Sequence, residues 1–175
     1  MSAPDGSVLV VHVRFLGDVR FQGRAWLQRD EALGKRPKCL EGSCGAESAA
    51  GVEPRPSEAV FTKRACFDAF LGDGFERRLV GRGVQRLLSA GLFAEICVDS
   101  TARTASQKGF EATVLRDCTT GLHLPDEQIL SLMNRLYGAR IATGDLAEVW
   151  SSRPGEREPR PSGYGSAVAH QEVPG

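Results

Sequence analysis

Cys97 is the residue of this sequence whose surroundings best suit covalent chemistry. It ends the stretch GLFAEIC, which follows a predicted strand and opens a predicted helix. The unpaired N–H groups at a helix N-terminus favour a thiolate, and a nearby Lys63 would favour it further. Backbone N–H groups of the same turn could stabilise the oxyanion that forms when a thiolate attacks a carbonyl carbon. The alternative interpretation is a buried structural thiol, because free cysteine is among the most buried residue types.

Short apolar runs alternate with helical patterns along the chain. This alternation predicts the strands and helices that hold Cys97 in place. Strands are predicted at residues 7–15, 59–63, 84–90, 110–115 and 139–143, and helices at 75–80, 97–108 and 124–137. Such alternation predicts an α/β fold in which a parallel sheet lies between helices on both faces. Ligands bind such sheets outside the carboxyl ends of the strands, which is where Lys63 and the turn before Cys97 are expected.

Three other segments complete the predicted organisation. The helix at 124–137 is amphipathic, and its apolar stripe is predicted to comprise Ile129, Leu132, Met133 and Leu136. Residues 16–58 show no period and are predicted to form a long irregular loop. Residues 151–175 are rich in Pro, Gly and Ser and are predicted to be a disordered tail, so the folded domain is expected to span residues 1–150.

The charge balance and the cysteine count bear on which partners the protein binds and on which cellular compartment contains it. Lys plus Arg and Asp plus Glu number 22 each, so the 175 residues carry a formal net charge of zero. This balance predicts no nucleic-acid partner, and no apolar run approaches the roughly 20 residues of a membrane span. The N-terminal residues lack a signal-peptide pattern. Five cysteines are an odd number, which together with that absence predicts free thiols in the cytoplasm.

The stretch from Gly83 to Asp117 resembles the nucleophile segment of the isochorismatase-like cysteine hydrolases. The positions in register with that family's pattern are Gly91, Cys97, Val98, Thr101, Ala102, Ala105, Gly109, Phe110 and Asp117. Upstream, AVFTK is similar to the strand that ends in the family's active-site lysine, here Lys63. The resemblance extends from about Val8 to Trp150, and it implies a three-layer, Rossmann-like sandwich with a mainly parallel sheet.

The resemblance also implies roles for particular residues. Cys97 would be the nucleophile, and Lys63 would orient the substrate or stabilise charge. The N–H groups of Phe93 and Cys97 would form an oxyanion hole beside a cis peptide bond between Leu92 and Phe93. Phe67 and Phe70 are weaker candidates for substrate contacts. Neither a cofactor nor a metal is expected, because residues 16–58 contain no His for the family's metal site.

Three departures from the family pattern concern the site itself. Ala94 and Glu95 occupy the place where the family usually has Thr, and Phe93 replaces a small residue and would crowd the pocket. The stretch between Lys63 and Ala69 is also one residue longer than usual, so the family pattern does not fix which of its side chains line the pocket.

The fourth departure is larger. The family begins with a central strand that ends in an Asp, its general base, and this sequence starts at what resembles the second strand. Asp5, Asp18, Asp30 and Asp68 have no pattern that singles out one as a replacement. The sequence therefore predicts a sheet without its first central strand, from a polypeptide that begins upstream, a fragment or a decayed copy.

Three functions follow as hypotheses. The first is hydrolysis of a small amide through an acyl intermediate on Cys97, with a small-molecule substrate and a possible homo-oligomer. The second is an inactive isochorismatase-like fold that binds or scaffolds without the base. The third is cleavage of a vinyl ether, against which Cys97 counts because that branch of the family commonly lacks the cysteine.

Overall fold

A computed structural model of the chain describes residues 8–145, so the predicted tail at 151–175 lies outside the described residues. Within this range the structure has five strands. They are β1 (Val11–Leu16), β2 (Ala59–Arg64), β3 (Arg86–Leu92), β4 (Glu111–Thr120) and β5 (Arg140–Ala142). Each lies on one of the apolar runs that predict strands, although β1 begins later and β4 extends further than the sequence pattern indicates.

Four α-helices connect or follow these strands in the described part of the chain. They are α1 (Arg24–Ala32), α2 (Phe75–Gly81), α3 (Asp99–Gln107) and α4 (Asp126–Tyr137). A π-helical turn, Ala94–Val98, leads directly into α3, and 3-10 turns lie at Val19–Phe21, Cys44–Ala46 and Ala69–Leu71. None of the helices among residues 8–145 is long and apolar enough to cross a membrane.

The strands form two sheets, and every pair is parallel. β1 pairs with β2, with Val11 opposite Ala59. The second sheet has the order β3-β4-β5, with Leu87 opposite Ala112 and Val114 opposite Ile141. Within residues 8–145, β1 and β3 form no ladder with each other, so each has one unpaired edge. The predicted α/β class with parallel strands is confirmed, whereas a first central strand stays a prediction.

The hydrophobic core shows on which side the helices pack. Opposed residues of parallel strands project to the same face of a sheet. Leu87 packs on the cluster around Phe75 and Leu79 of α2, whereas its partner Ala112 belongs to the cluster that α3 and α4 complete. Because these two partners share a face, α2, α3 and α4 all cover the same side of β3 and β4.

The segment 16–58 differs from the irregular loop that the sequence predicts, because it contains α1. Its residues RAWLQRDEA are mostly strong helix formers, yet none of them is buried. A helix without a buried face has no apolar periodicity to reveal it, and periodicity was the basis of the loop prediction. Propensity was the signal that could have identified α1.

The apolar stripe of α4 also differs in part from the prediction. Ile129, Leu130 and Met133 are buried, whereas Leu132 and Leu136 are 51% and 56% exposed. The helix packs its Ile129–Met133 side on α3 and β4. The prediction that Leu132 and Leu136 are buried was therefore wrong.

Candidate active site

Cys97 lies inside the π-helical turn that joins β3 to α3. Phe93, just before the turn, has a carbonyl oxygen that accepts from the N–H groups of Ile96 at 3.1 Å and Val98 at 3.2 Å. The bond to Val98 has the i to i+5 spacing of a π-turn, which often occurs at functional sites. Ile96 and Val98 are the residues immediately before and after Cys97. The Phe93 carbonyl therefore accepts hydrogen bonds from both sequence neighbours of the cysteine.

The chain enters this turn through an unusual backbone. Gly91 has a φ of +115°, a conformation that favours glycine, and the peptide bond between Leu92 and Phe93 is cis. The Thr119 hydroxyl of β4 donates to the Gly91 carbonyl at 2.7 Å. The cis bond that the family resemblance implies is therefore present, and β4 anchors the residue before it.

Lys63 lies in β2 and is only 3% exposed. Its Nζ donates to the carbonyl oxygen of Phe67 at 2.7 Å. The buried ammonium thus holds the start of the loop that leaves β2, and this loop then runs toward α3.

Cys66 lies in that loop, and both Lys63 and Cys97 affect the pKa of its thiol. Burial raises the pKa of the Cys66 thiol, and the Lys63 cation opposes this rise. Asp68 and Cys97 also raise the pKa of Cys66, so both lie within its electrostatic range. The thiol donates to the carbonyl oxygen of Asp68 at 3.6 Å. Lys63 and Cys97, the two predicted catalytic residues, therefore both influence the Cys66 thiol electrostatically, although one lies in β2 and the other follows β3.

Asp68 and Ala69 attach the β2 loop to α3. The Asp68 carboxylate accepts from the Phe70 N–H at 2.8 Å and caps the short 3-10 turn there. Its other oxygen accepts from the Thr104 hydroxyl. The Ala69 N–H donates to the Thr101 hydroxyl at 3.1 Å. These bonds connect the Lys63 side of the site to the helix that follows Cys97.

Phe67 lies against aromatic residues from the segment before β2. Its ring centroid is 4.9 Å from that of Trp26 in α1 and 6.3 Å from that of Phe15 in β1. The Trp26 indole N–H donates to Asp30 at 2.9 Å, which fixes the ring on its helix. Helix α1 is thereby placed against the loop that follows β2, whose Phe67 carbonyl accepts from Lys63.

Phe70 lies in a different environment. Its ring meets Phe75 edge-on at 5.0 Å and Phe110 at 5.8 Å, within the core cluster beside α2. These are the contacts of a core aromatic residue. The structure therefore separates Phe67 and Phe70, and a substrate contact for either stays a prediction.

Glu95 lies in the same turn as Cys97. The sequence analysis noted it only as a departure from the family pattern and predicted no contact for it. Its Oε1 accepts from the N–H groups of Leu122 at 2.8 Å and His123 at 2.7 Å, in the loop before α4. Burial opposes ionisation of Glu95, but these donors outweigh it and hold the pKa of the carboxyl below its usual value. Glu95 thereby ties the Cys97 turn to the far end of β4, a contact that only a folded chain reveals.

Residues 8–145 contain no cluster of three or more His, Cys, Asp or Glu side chains able to hold a metal ion. The five cysteines are all free thiols in the structure. The expectation that the protein works without a metal or cofactor stays a prediction.

Comparison with known proteins places this arrangement in a family. A family model described as Isochorismatase domain matches residues 2–145. A secreted isochorismatase effector from Verticillium dahliae is 25% identical over 116 residues, which cover 66% of this chain and 57% of that protein. The chain spans 57% and 47% of the lengths of the two curated relatives that it matches.

Solved structures give the same result. An isochorismatase family protein from Desulfovibrio vulgaris superposes with a TM-score of 0.70 at 26% identity, covering 82% of this chain and 76% of that one. A nicotinamidase from Bacillus subtilis gives a TM-score of 0.65 at 26% identity, covering 76% of this chain and 74% of that one. Both share the parallel α/β architecture, and together with the family model they show that the chain belongs to the isochorismatase family.

Proposed function

We propose that this isochorismatase-family chain hydrolyses a small amide through an acyl intermediate on Cys97. The observation that carries the proposal is the π-turn, in which the Phe93 carbonyl accepts from Ile96 and Val98 on either side of the cysteine. The Cys97 N–H is not one of these two donors, and in the proposal it donates to a substrate oxygen. The similarity to a nicotinamidase, an amidase by name, supports an amide as the substrate class.

In the proposed reaction, the Cys97 thiolate attacks the amide carbon and a tetrahedral oxyanion forms. The N–H groups of Phe93 and Cys97 donate to this oxyanion. The C–N bond then breaks, the proton that the thiol lost when the thiolate formed is returned to the nitrogen, and the amine leaves while a thioester remains on the Cys97 sulfur. Water attacks the thioester, which releases a carboxylic acid and restores the thiol.

Lys63 contributes positive charge on the other side of the site. Its ammonium is buried and donates to the Phe67 carbonyl. In the proposal, the Lys63 ammonium stabilises the negative charge that develops on the substrate. Phe67 lines the substrate site beside Lys63. The aromatic stack of Phe67 on Trp26 suits a flat, apolar acyl group.

A proton carrier is also required, to hold the thiol proton and return it to the leaving amine, and two carboxylates from the segments around Lys63 and Cys97 are already engaged. Asp68 accepts from the Phe70 N–H and the Thr104 hydroxyl. Glu95 accepts from the Leu122 and His123 N–H groups. This engagement favours a second candidate function, in which the chain binds a small ligand at the same site without turnover.

The proposal includes a cytoplasmic location and a small-molecule partner. Five free thiols support a reducing compartment, although the Verticillium relative is named a secreted effector. The zero net charge supports the absence of a nucleic-acid partner. Assembly into a homo-oligomer is also proposed, and light scattering of the purified chain would measure it.

The test is ammonia release from a panel of small primary amides that includes nicotinamide. Cys97→Ser is compared with Cys118→Ser, which removes an exposed thiol in β4. We expect Cys118→Ser to match the wild type and Cys97→Ser to lose roughly 10³-fold or more in rate, because the nucleophile is gone. Intact mass spectrometry of the wild type during turnover should show the acyl group on Cys97.

Two results would contradict the amidase proposal. Equal rates for Cys97→Ser and the wild type would show that the sulfur takes no part. Binding of an amide without ammonia release or acylation would favour the second candidate, a ligand-binding fold.

A further inference from the structure

A second thiol lies on the side of the molecule where the proposed function places its chemistry. Cys66 and Cys97 are both partly buried free thiols, whereas Cys118 is exposed. The proposed amide hydrolysis uses the sulfur of Cys97 alone, so the Cys66 thiol has no part in it. A thiol beside a reactive cysteine can form a disulfide with that cysteine once it is oxidised.

The turn after β2 determines where Cys66 lies. Ala65 has a φ of +46°, in the left-handed region that residues with a side chain seldom adopt, and its N–H donates to the Leu16 carbonyl of β1 at 2.8 Å. The chain therefore bends directly after β2. The Cys66 thiol donates to the Asp68 carbonyl at 3.6 Å, and because a thiol is a weak donor, a reaction at the sulfur loses little when this bond breaks.

The loop that contains Cys66 lies along one face of α3. Thr101 and Thr104 follow Cys97 by four and seven residues, the spacing at which helical residues share a face. Both threonine hydroxyls bond to this loop, since Thr101 accepts from the Ala69 N–H at 3.1 Å and Thr104 donates to the Asp68 carboxylate. Cys97 is therefore on the face of the helical segment that is turned toward the loop.

The electrostatics of Cys66 supports the same placement. Burial is the largest cause of the raised pKa of the Cys66 thiol, and Cys97 adds to the rise. Burial also raises the pKa of the Cys118 thiol, but the neighbour that adds to it there is Asp117 and not Cys97. Because salt screens exposed charges that lie more than about 10 Å apart, the influence of Cys97 on Cys66 indicates that the two sulfurs are near each other.

We propose that Cys66 and Cys97 together form a modification site for hydrogen peroxide, which joins them in a reversible disulfide. The inference rests on the proposed function, since the Cys97 thiolate that attacks an amide is also the group that attacks the peroxide. Both sulfurs are partly exposed, so a molecule as small as hydrogen peroxide can reach them.

The reaction has two steps. The Cys97 thiolate attacks one oxygen of hydrogen peroxide, the O–O bond breaks, and hydroxide leaves, so the sulfur is oxidised to a sulfenic acid and the peroxide is reduced. The Cys66 sulfur then attacks the Cys97 sulfur, the S–O bond breaks, and the Cys66 proton leaves with the hydroxyl group as water. Two thiols and one peroxide thus give one disulfide and two molecules of water.

The disulfide has two consequences for the Cys97 sulfur. While the bond is present, the sulfur cannot attack a substrate, so amide hydrolysis stops. The bond also protects the sulfur from further oxidation to a sulfinic acid, which common thiol reductants do not reverse. A dithiol such as dithiothreitol restores both thiols by disulfide exchange.

The experiment is peptide mapping of the full chain after mild treatment with hydrogen peroxide. Trypsin cleaves after Lys and Arg, which places Cys66 on the peptide 65–77 and Cys97 on the peptide 87–103. When the remaining thiols are blocked and no reductant is added, mass spectrometry should show these two peptides joined, about 2 Da lighter than their sum. Dithiothreitol should separate them.

Two matched variants test the role of Cys66. After the same peroxide treatment, Cys66→Ser should carry about tenfold more sulfinic acid on the peptide 87–103 than the wild type, because no thiol closes the disulfide. Its ammonia release should recover less on addition of dithiothreitol. Cys118→Ser, which removes an exposed thiol, should behave as the wild type in both measurements.

Other results would overturn the inference. Equal sulfinic acid in Cys66→Ser and the wild type would show that Cys66 does not protect Cys97, and a disulfide from Cys97 to another cysteine would assign the partner wrongly. Ammonia release without joined peptides after peroxide treatment would overturn the disulfide and leave the amidase proposal intact. Joined peptides in a chain that releases no ammonia would support the disulfide and contradict the amidase proposal.

Discussion

The sheet of β3, β4 and β5 supplies the Cys97 turn, whereas the β1–β2 pair supplies Lys63, and the two differ in how well they are covered. Ala94, Val114 and Met133 on the first side are all 0% exposed. On the second side, Val13 and Val60 are 41% and 45% exposed. A continuous core therefore holds the Cys97 turn, whereas the lysine side packs through Val11 and Phe61 on a smaller cluster around Phe75 and Leu79 and is linked to α3 by its loop.

The largest effect is expected from the core that supports the Cys97 turn. Met133→Ala would remove a fully buried side chain that packs between α4 and the sheet and should lower the free energy of unfolding by about 2–5 kcal/mol. Urea denaturation followed by circular dichroism measures the loss. Leu132→Ala on the exposed side of the same helix is the control, expected within about 0.5 kcal/mol of the wild type. Similar losses for both would contradict the assignment of the buried face.

The connection between the two sides can be cut at Asp68 and Thr104. Each single change, Asp68→Asn or Thr104→Val, should cost about 0.5–1.5 kcal/mol, because a side-chain hydrogen bond is lost. A double-mutant cycle with urea denaturation should give a coupling energy above about 0.5 kcal/mol, because the groups contact each other. Additive losses would show that the two sides are not linked through this pair.

An effect of similar size is expected where α1 meets the lysine loop. Trp26→Ala should lower the free energy of unfolding by at least about 0.5–1.5 kcal/mol, the contribution of an aromatic pair beyond the area that it buries, since its ring packs on Phe67. Leu27→Ala, at a 39% exposed position of the same helix, is the matched control. Thermal denaturation measures the Tm of both variants. An equal decrease in Tm for both would contradict the claim that the Trp26–Phe67 contact stabilises the fold.

The smallest effect is confined to acid conditions and concerns Glu95. The pKa of this carboxyl is lowered in the folded state, so its stabilising contribution is present above the unfolded value of 4.5 and is lost as pH falls through the lower folded value. Wild-type stability should therefore decline more steeply below pH 4.5 than that of Glu95→Gln, which cannot titrate. Parallel pH dependences of urea midpoints in the two proteins would contradict the anchoring role of Glu95.

The structure of the segment around Cys97 could be predicted from the sequence because its signals are local. A Gly that accepts positive φ, a turn, a cysteine and small helix residues lie within a few positions of one another, and Gly91, Ala102 and Ala105 occupy the expected places. The strands were predictable for a similar reason, since runs such as AVFTK are β-branched and apolar. The helix α1 was not, because its residues bury no apolar face.

The sequence by itself determined the α/β alternation and the position of Cys97 at the start of a helical segment, since both follow from short-range pattern and turn chemistry. Only the tertiary structure decided which flank of α4 is buried, how Glu95 anchors the turn and how Asp68 joins the lysine loop to α3. Among residues 8–145, it also decided that β1 and β3 form no ladder with each other. These features depend on contacts between residues far apart in the chain, and local patterns carry no information about such partners.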